Sequence, residues 1–509
     1  MTSAETATTD PRADRSPCLI GTARRTWRAA DGEAPEPLEM WEQLARAAAA
    51  DVGIDRDIVD EIDDLGVVHC QSWAYDRPVE RLAERLRLGA GHRTESLLAG
   101  TSPQRLIDTA ATRMLAGTTD VAMVVGGEAL ATLRQYVASG EQPPWSHPHA
   151  APPALPIDLD EWYLPTELAH GVMPAWLTFA LLEQARWAAR GARPEDRRLL
   201  GELMADMSAT AADNPDAWFR QRYDADELLV PGPHNRMVST PYTKRMTAFM
   251  DVDMAAANLL VTRATADAWG VPEDRRVYLR GWGFARDSNH VAARTDLSRS
   301  PAIAAATAEA MRMAGVDSEQ IDVFDLYSCF GSAVQFARDA LGLSDTDTRP
   351  TTVTGGLPYH GGPSSNYMSH SISHMADRLR AHPGQIGMVT GVGMHMTKHV
   401  AAIWSAEPGQ IRPTEAHHEQ QRWNDSPLTP DVDVVATASG PATVIAATTV
   451  FDRHDVADHA IAICELPEGG RCYARTSDDA SMAAVTEGAW VTDKAQLVAR
   501  DDGTNDLRW

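Results

Sequence analysis

The sequence predicts an α/β protein in which one strand and helix unit occurs twice. Residues 51–70, "DVGIDRDIVDEIDDLGVVHC", parallel residues 313–329, "MAGVDSEQIDVFDLYSC", since each has a helix end, an Ile-Asp pair and an apolar strand ending in cysteine. The parallel continues at nearly the same spacing between residues 119–128, "TDVAMVVGGE", and residues 384–393, "GQIGMVTGVG". A repeated order of strand, helix, strand, helix, strand predicts two mixed sheets surrounded by helices.

The first elements of the two copies also correspond. The runs "CLIGTARR" and "VYLRGWGFA" are predicted first strands, followed by helices at about Pro37–Asp51 and Pro301–Gly315. A further helix is predicted from Ser102, which can cap it, to Gly117, because apolar residues recur every four positions between them. The apolar run after Gly117 is typical of a buried parallel strand.

Two regions break the parallel. An insertion at 136–236 opens with a Pro-rich stretch and continues as a helical run from about Pro174 to Ala212. After a polar linker, short alternating runs predict a small β-barrel of the OB-like kind. The predicted domains are a disordered tail 1–16, a first half 17–272 with the insertion, a second half 273–405, a linker 406–430 and the barrel 431–509.

Composition excludes several classes of function. A chain of 509 residues with 44% hydrophobic residues can bury a large core. Its net charge of -25 argues against binding to nucleic acid or to an anionic membrane. Five scattered cysteines and the absence of a signal-peptide pattern predict a reduced, cytoplasmic protein. No apolar run approaches the roughly 18 residues of a membrane helix.

These pieces together resemble the thiolase superfamily from about Pro17 to Ser405, and the extra C-terminal domain is similar to that of the thiolase-like proteins of type 1. The resemblance implies two βαβαβ halves layered αβαβα, with a loop domain inserted in the first. It also implies a coenzyme A thioester as substrate or ligand, no tightly bound cofactor, and a label of acetyl-CoA acetyltransferase in lipid metabolism.

The resemblance places both thiolase cysteines on glycines. The nucleophilic cysteine at a helix start falls on Gly100 in "GTSP", and the Cys-x-Gly loop falls on Gly391 in "GVG". A helix N-terminus favours a reactive thiolate, but glycine supplies no nucleophile. Loss of a covalent nucleophile typically costs on the order of 10⁶-fold in rate, which excludes ordinary cysteine-dependent thiolysis.

Two other motif positions keep polar side chains. The resemblance places Tyr327 of "YSCF" where thiolases have Asn or His, and it retains His360 within "YHG". These two residues are the candidate catalytic groups, as an acid and base pair or as an oxyanion hole. The alternative is that both belong to the core.

The candidate ligand-binding residues are Arg236, Lys244 and Arg245 in "NRMVSTPYTKRM", at the place where thiolases hold the phosphates of coenzyme A. The alternative is a solvated basic face. No metal is predicted, because the histidine pairs spaced by four residues lack a nearby carboxylate or cysteine. Ser102 and Ser328 lie near the motifs but lack the G-x-S-x-G pattern of a nucleophile elbow, so neither is predicted to be a nucleophile.

Three functions remain open. The first is an acyl-CoA-binding protein of the acyltransferase type that lacks both thiolase cysteines. The second is a retro-aldol lyase for a β-hydroxyacyl-CoA, with Tyr327 and His360 as the acid and base, and with the β-domain supplying acyl-CoA binding. The third is a scaffold without chemistry. The chain is either a homodimer or a monomer whose extra domain blocks dimerisation.

Overall fold

The computed structural model describes residues 15–28, 30, 32–152, 157–412, 426–490 and 494–509. The predicted tail lies mostly outside these residues, as does the middle of the predicted linker. The strands are β1 (Pro17–Thr26), β2 (Asp64–Val67), β3 (His92–Glu95), β4 (Val121–Ala129), β5 (Met237–Ser239), β6 (Tyr242–Thr243), β7 (Asp253–Thr262), β8 (Val277–Arg286), β9 (Val323–Asp325), β10 (Ile386–Gly393), β11 (Lys398–Ser405), β12 (Gly440–Phe451), β13 (Ala457–Glu465), β14 (Arg471–Thr476), β15 (Lys494–Ala499) and β16 (Asn505–Arg508).

Helices flank these strands in the described part of the chain, and none of them is long and apolar enough to cross a membrane. They are α1 (Pro37–Asp51), α2 (Pro78–Leu86), α3 (Ser102–Ala116), α4 (Leu130–Ser139), α5 (Leu159–Trp162), α6 (Pro165–Ala169), α7 (Ala175–Ala189), α8 (Pro194–Asp213), α9 (Ala225–Leu229), α10 (Arg263–Trp269), α11 (Pro301–Ala314), α12 (Gly331–Ala340), α13 (Tyr367–Ala381) and α14 (Asp479–Glu487).

The repeat is visible in the strand order. The first half contributes β3-β2-β4-β7-β1 and the second half contributes β8-β11-β10-β9 to one nine-stranded sheet. In both halves the two repeat strands are parallel, β2 with β4 and β9 with β10, and the next neighbour is antiparallel. The halves meet where β1 and β8 pair over two residue positions, so the strands form one hydrogen-bonded sheet rather than the two predicted.

Close helix packing explains a glycine in each half. A β-carbon on Gly21 of β1 would collide with the carbonyl oxygen of Ala48 in α1, and one on Gly281 of β8 would collide with that of Ala310 in α11. Glycine therefore lets α1 and α11 lie directly on their strands. Helices α3 and α13 contact strands of both halves and form the central layer. The mixed α/β thiolase fold predicted from the resemblance is confirmed.

The chain between β4 and β7 forms the insertion, where the second half has only a short turn between β10 and β11. The predicted single helical run is two helices, α7 and α8, because Gly191 and Ala192 adopt positive φ angles between them. The short strands β5 and β6 follow and end the insertion beside the C-terminal region.

The C-terminal strands form a closed barrel. Strand β12 pairs with β13 and β15, β14 pairs with β13 and β16, and β15 pairs with β16. This closed five-stranded order, with α14 before β15, agrees with the predicted OB-like domain. The barrel sheet also takes in β5 and β6 of the insertion, because Ser239 pairs with Val450 of β12.

Candidate functional site

The start of α3 holds the glycine at the predicted nucleophile position. A β-carbon on Gly100 would overlap the hydroxyl of Tyr327 and the backbone oxygen of Val392. The hydroxyl-bearing ring carbon of Tyr327 lies only 2.6 Å from that point. The other half of the molecule therefore fills the space that a catalytic cysteine would need. Helix α3 begins at Ser102, whose hydroxyl donates to the Leu97 carbonyl (2.6 Å) instead of capping the helix.

The structure brings together three of the four motif positions, those of Gly100, Tyr327 and Gly391. The backbone N–H of Tyr327 donates to the hydroxyl of Thr390 at 2.9 Å, which fixes the loop after β9 against β10. At Gly391 a β-carbon would meet the sulfur of Met368 and the side chain of Val400. Neither cysteine position can therefore take a side chain without movement of its neighbours. Burial raises the pKa of the Tyr327 hydroxyl, so this group stays protonated at neutral pH and can donate a hydrogen bond.

His360 lies in the protein interior, out of contact with solvent. Its side chain is fully buried, and Nδ1 donates to the Gly361 carbonyl at 3.2 Å. Its Nε2 has no hydrogen-bond partner among the described residues. Burial lowers the pKa of His360 to about 4, so the ring is neutral at physiological pH. A neutral imidazole with a free nitrogen can act as a base only toward a group that reaches it.

Tyr367 stands between the two candidate catalytic residues. Its ring centroid lies 5.5 Å from that of Tyr327 and 5.9 Å from that of His360. Its hydroxyl donates to Asp325 at 3.0 Å, and the Asp325 carboxylate also accepts from backbone and side-chain donors of residues 352–354. The sequence did not predict this residue, because nothing in the motifs indicates which side chain of α13 faces them.

His360 also belongs to a cluster of histidines, which we call the histidine cluster: the fully buried His360 and His370 and the mostly buried His374. The ring centroids of His370 and His374 lie 5.3 and 5.5 Å from that of His360. Burial lowers the pKa of both rings well below the ordinary value. Neither ring nitrogen of His370 has a hydrogen-bond partner among the described residues. Within the described ranges no group of three or more histidine, cysteine or carboxylate side chains is arranged to hold a metal ion.

The predicted basic cluster lies on a groove. Arg236 and Lys244 line two adjoining cavities, and Arg245 lines the inner one. The strands β5 and β6 position them, because the N–H of Lys244 donates to the Arg236 carbonyl at 2.9 Å. None of the three forms an ion pair with a carboxylate in the described part of the chain. Their charge is therefore available to an anion.

The inner cavity, of about 570 Å³, combines these cations with aromatic side chains. Its walls include Phe219, Tyr223, Phe249 and Tyr359, and the Arg245 guanidinium lies 4.5 Å from the centre of the Tyr223 ring. The hydroxyl of Tyr359 is buried and has no partner among the described residues. The cavity is suited to a ligand with an anionic end and an apolar or amide-containing part. Sequence analysis missed Tyr359, although it directly precedes His360.

The outer cavity, of about 660 Å³, shares His234, Arg236 and Lys244 with the inner one. Its remaining lining comes from the insertion and from the barrel turn between β12 and β13, which contributes Arg453 and His454. We call the two cavities together the cationic groove. None of the three histidines of the cluster is among the residues that line the groove, and His360 and His370 are fully buried.

Comparisons with known proteins agree with this architecture. A family model described as thiolase C-terminal domain-like matches residues 283–366. A monomeric SCP2-thiolase-like protein type 1 from Mycobacterium smegmatis matches with 28% identity and a TM-score of 0.82, covering 97% of this chain and 99% of that one. No curated protein matches significantly.

More distant structures share the fold. The Ltp2-ChsH2(DUF35) aldolase matches with 14% identity and a TM-score of 0.60, over 79% of this chain and 99% of that one. Human mitochondrial 3-ketoacyl-CoA thiolase in complex with CoA matches with 13% identity and a TM-score of 0.55, over 77% of this chain and 99% of that one.

The described residues adopt the thiolase fold, and the resemblance predicted from the sequence is confirmed. The chain is similar to the SCP2-thiolase-like protein type 1 over nearly its whole length.

Proposed function

We propose that this protein binds a coenzyme A thioester in the cationic groove and does not form an acyl-enzyme. The observation that carries the proposal is the contrast between the two predicted sites. The nucleophile position at Gly100 is filled by Tyr327, whereas Arg236, Lys244 and Arg245 lie beside an aromatic cavity and have no carboxylate ion-pair partner among the described residues. The thiolase resemblance then supports coenzyme A as the anionic ligand.

The chemistry of the groove fits such a ligand. Coenzyme A carries phosphates that arginine and lysine side chains recognise, and charge-assisted hydrogen bonds of this kind contribute about 1.5–3 kcal/mol each. The pantetheine arm and acyl chain are largely apolar with a few amides, which suits a cavity walled by Phe219, Phe249 and Tyr359.

By resemblance we place the protein in cytoplasmic lipid metabolism, with an acyltransferase ancestry and no tightly bound cofactor. The barrel favours a monomer over the homodimer.

The test is calorimetric titration of coenzyme A and acetyl-CoA into the wild type, an Arg236→Ala, Lys244→Ala double variant, and a matched Lys494→Ala control. Lys494 is an exposed lysine on β15, outside the groove. We expect the double variant to bind at least tenfold more weakly and the control to bind as the wild type does. A wild type that binds neither compound would overturn the proposal.

Mass spectrometry after incubation with acetyl-CoA tests the second half of the proposal. We expect no mass increase of an acetyl group on the protein, because no thiol lies at the start of α3. A stoichiometric acetyl adduct at any residue of the motif loops would contradict it.

The lyase remains a second candidate, in which Tyr327 would donate a proton and His360 would act as the base. Its physical requirement is that a substrate reaches Nε2 of His360, which is buried and unpartnered among the described residues. Cleavage of a β-hydroxyacyl-CoA by the wild type, abolished by His360→Gln but retained in a His382→Gln control, would favour the lyase over simple binding. The absence of cleavage would leave binding as the function.

A further inference from the structure

The turn between β12 and β13 of the barrel, residues 452–456, borders the cationic groove. Arg453 and His454 line the outer cavity together with Arg236 and Lys244. The turn is joined to the insertion by the Met237 N–H, which donates to the Asp455 carboxylate at 2.7 Å. The barrel therefore forms one wall of the groove.

The turn is ordered by its own hydrogen bonds. The Asp452 carboxylate accepts the backbone N–H groups of His454 and Val456 at 2.8 and 3.0 Å. The Arg453 guanidinium donates from Nε to Nε2 of His454 at 3.0 Å. A histidine that accepts at Nε2 carries its proton at Nδ1, which leaves that N–H available to a ligand. Arg453 has no carboxylate within ion-pair distance among the described residues, and its terminal N–H groups are available too.

The two ends of the groove differ in chemistry. The outer cavity is lined by cationic side chains, histidine, glycine and proline, with the Asp455 carboxylate accepting from the Met237 N–H, and among the described residues no aromatic side chain other than histidine lines it. The inner cavity has the aromatic walls. Arg236 and Lys244 line both cavities, so they stand at the junction. A long ligand with phosphates in its middle would place its nucleotide outward and its acyl arm inward.

We propose that the barrel turn is part of the ligand site, with Arg453 and His454 binding the phosphates at the nucleotide end of a coenzyme A thioester. This inference rests on the proposed function and assigns the extra domain a role in it. The turn between the first two strands of an OB-type barrel is a common place for ligand contacts, which agrees with the position of these residues. The acyl arm then enters the inner cavity beside Tyr359.

The test compares the wild type with Arg453→Ala, Arg453→Glu and a matched Arg508→Ala control, an exposed arginine on β16 of the same barrel. Coenzyme A, its 3'-dephospho form and an acetyl-pantetheine thioester without a nucleotide are titrated into each. Urea unfolding confirms that each variant is folded. We expect Arg453→Ala to weaken coenzyme A binding roughly tenfold, which corresponds to about 1.4 kcal/mol. Arg453→Glu should weaken it further, and neither should change binding of the pantetheine thioester.

The outcomes separate the two proposals. If the wild type binds coenzyme A and Arg453→Ala binds it equally well, the barrel turn is not part of the site and the proposed function stands. Equal weakening of the pantetheine thioester would overturn the orientation. If the wild type does not bind coenzyme A, both proposals fail.

Discussion

Tyr327 fills the space that a side chain at position 100 would need, since a β-carbon on Gly100 would lie 2.6 Å from the ring carbon that bears the tyrosine hydroxyl. The two residues belong to opposite halves of the duplicated fold. The missing nucleophile is therefore matched by a side chain that fills its place, and a single substitution cannot restore cysteine chemistry.

Gly100→Cys should destabilise the protein without producing thiolase activity. The added side chain would collide with Tyr327 and with the rigid backbone at Val392, and overpacking of this kind costs about 1–3 kcal/mol. Urea unfolding measures the free energy of unfolding, and a thiolysis assay with a 3-ketoacyl-CoA measures activity.

The control is Gly89→Ala, where an added β-carbon meets no atom within 4 Å. Its free energy of unfolding should stay within about 0.5 kcal/mol of the wild type. A Gly100→Cys protein as stable as the wild type would show that Tyr327 moves aside readily, contrary to this account.

Tyr359→Phe should separate folding from ligand binding. The Tyr359 hydroxyl is buried without a partner among the described residues, so its removal should leave the free energy of unfolding unchanged or slightly higher. If the hydroxyl donates to the thioester or a pantetheine amide, acetyl-CoA affinity should fall by roughly tenfold. Calorimetry with acetyl-CoA measures this loss, and an unchanged affinity would exclude the hydroxyl from the site.

The histidine cluster should make the fold sensitive to acid. Burial lowers the folded-state pKa of His360 to about 4, below the ordinary value of about 6.5. The unfolded chain therefore binds more protons between these values, and stability present above about pH 6.5 is lost as the pH falls toward 4. Each such group contributes a slope of at most about 1.4 kcal/mol per pH unit.

His370→Leu should reduce the slope of the free energy of unfolding against pH by up to the contribution of one titrating group, about 1.4 kcal/mol per pH unit. Its ring nitrogens have no hydrogen-bond partner among the described residues, so the leucine variant should be no less stable at pH 8. Urea unfolding from pH 8 to pH 5 measures the slope. The exposed His382→Leu variant serves as control and should follow the wild type, whereas a wild-type slope in His370→Leu would show that this ring titrates normally.

Tyr473→Phe should weaken the attachment of the barrel. The Tyr473 hydroxyl donates to Glu167 of the insertion at 2.8 Å and accepts the Ala292 N–H at 3.1 Å, and all three lie in the interior. Its removal leaves a buried carboxylate with fewer donors, which costs about 1–3 kcal/mol. Limited proteolysis should cut the variant faster than the wild type in the segment before the barrel. Equal rates would show that β5 and β12 hold the barrel without this tyrosine.

Much of the fold follows from local pattern in the sequence. Helix α1 has the predicted bounds, and the repeated strands pair as the duplication predicts, because apolar periodicity and glycine or proline boundaries are local signals. The β1 and β8 pairing was not predicted, since it depends on how the two halves meet. The two-helix form of the insertion depends on backbone angles at Gly191 and Ala192.

The candidate site was predictable only in part. The basic residues Arg236, Lys244 and Arg245 lie close together in sequence, so their clustering could be foreseen. Tyr367 and Arg453 could not, because the first is placed by the rotation of α13 and the second by the orientation of the barrel. The roles of Tyr327 and His360 as catalytic groups stay predictions.

Pairing between β5 and β12 has a consequence for the history of this architecture. A domain joined end to end by gene fusion can be removed without exposing its neighbour, but here deletion of the barrel would leave a strand of the insertion with an open edge. Open edges promote intermolecular strand association. Any shorter relative that lost the barrel would therefore need compensating changes within the insertion to protect that edge.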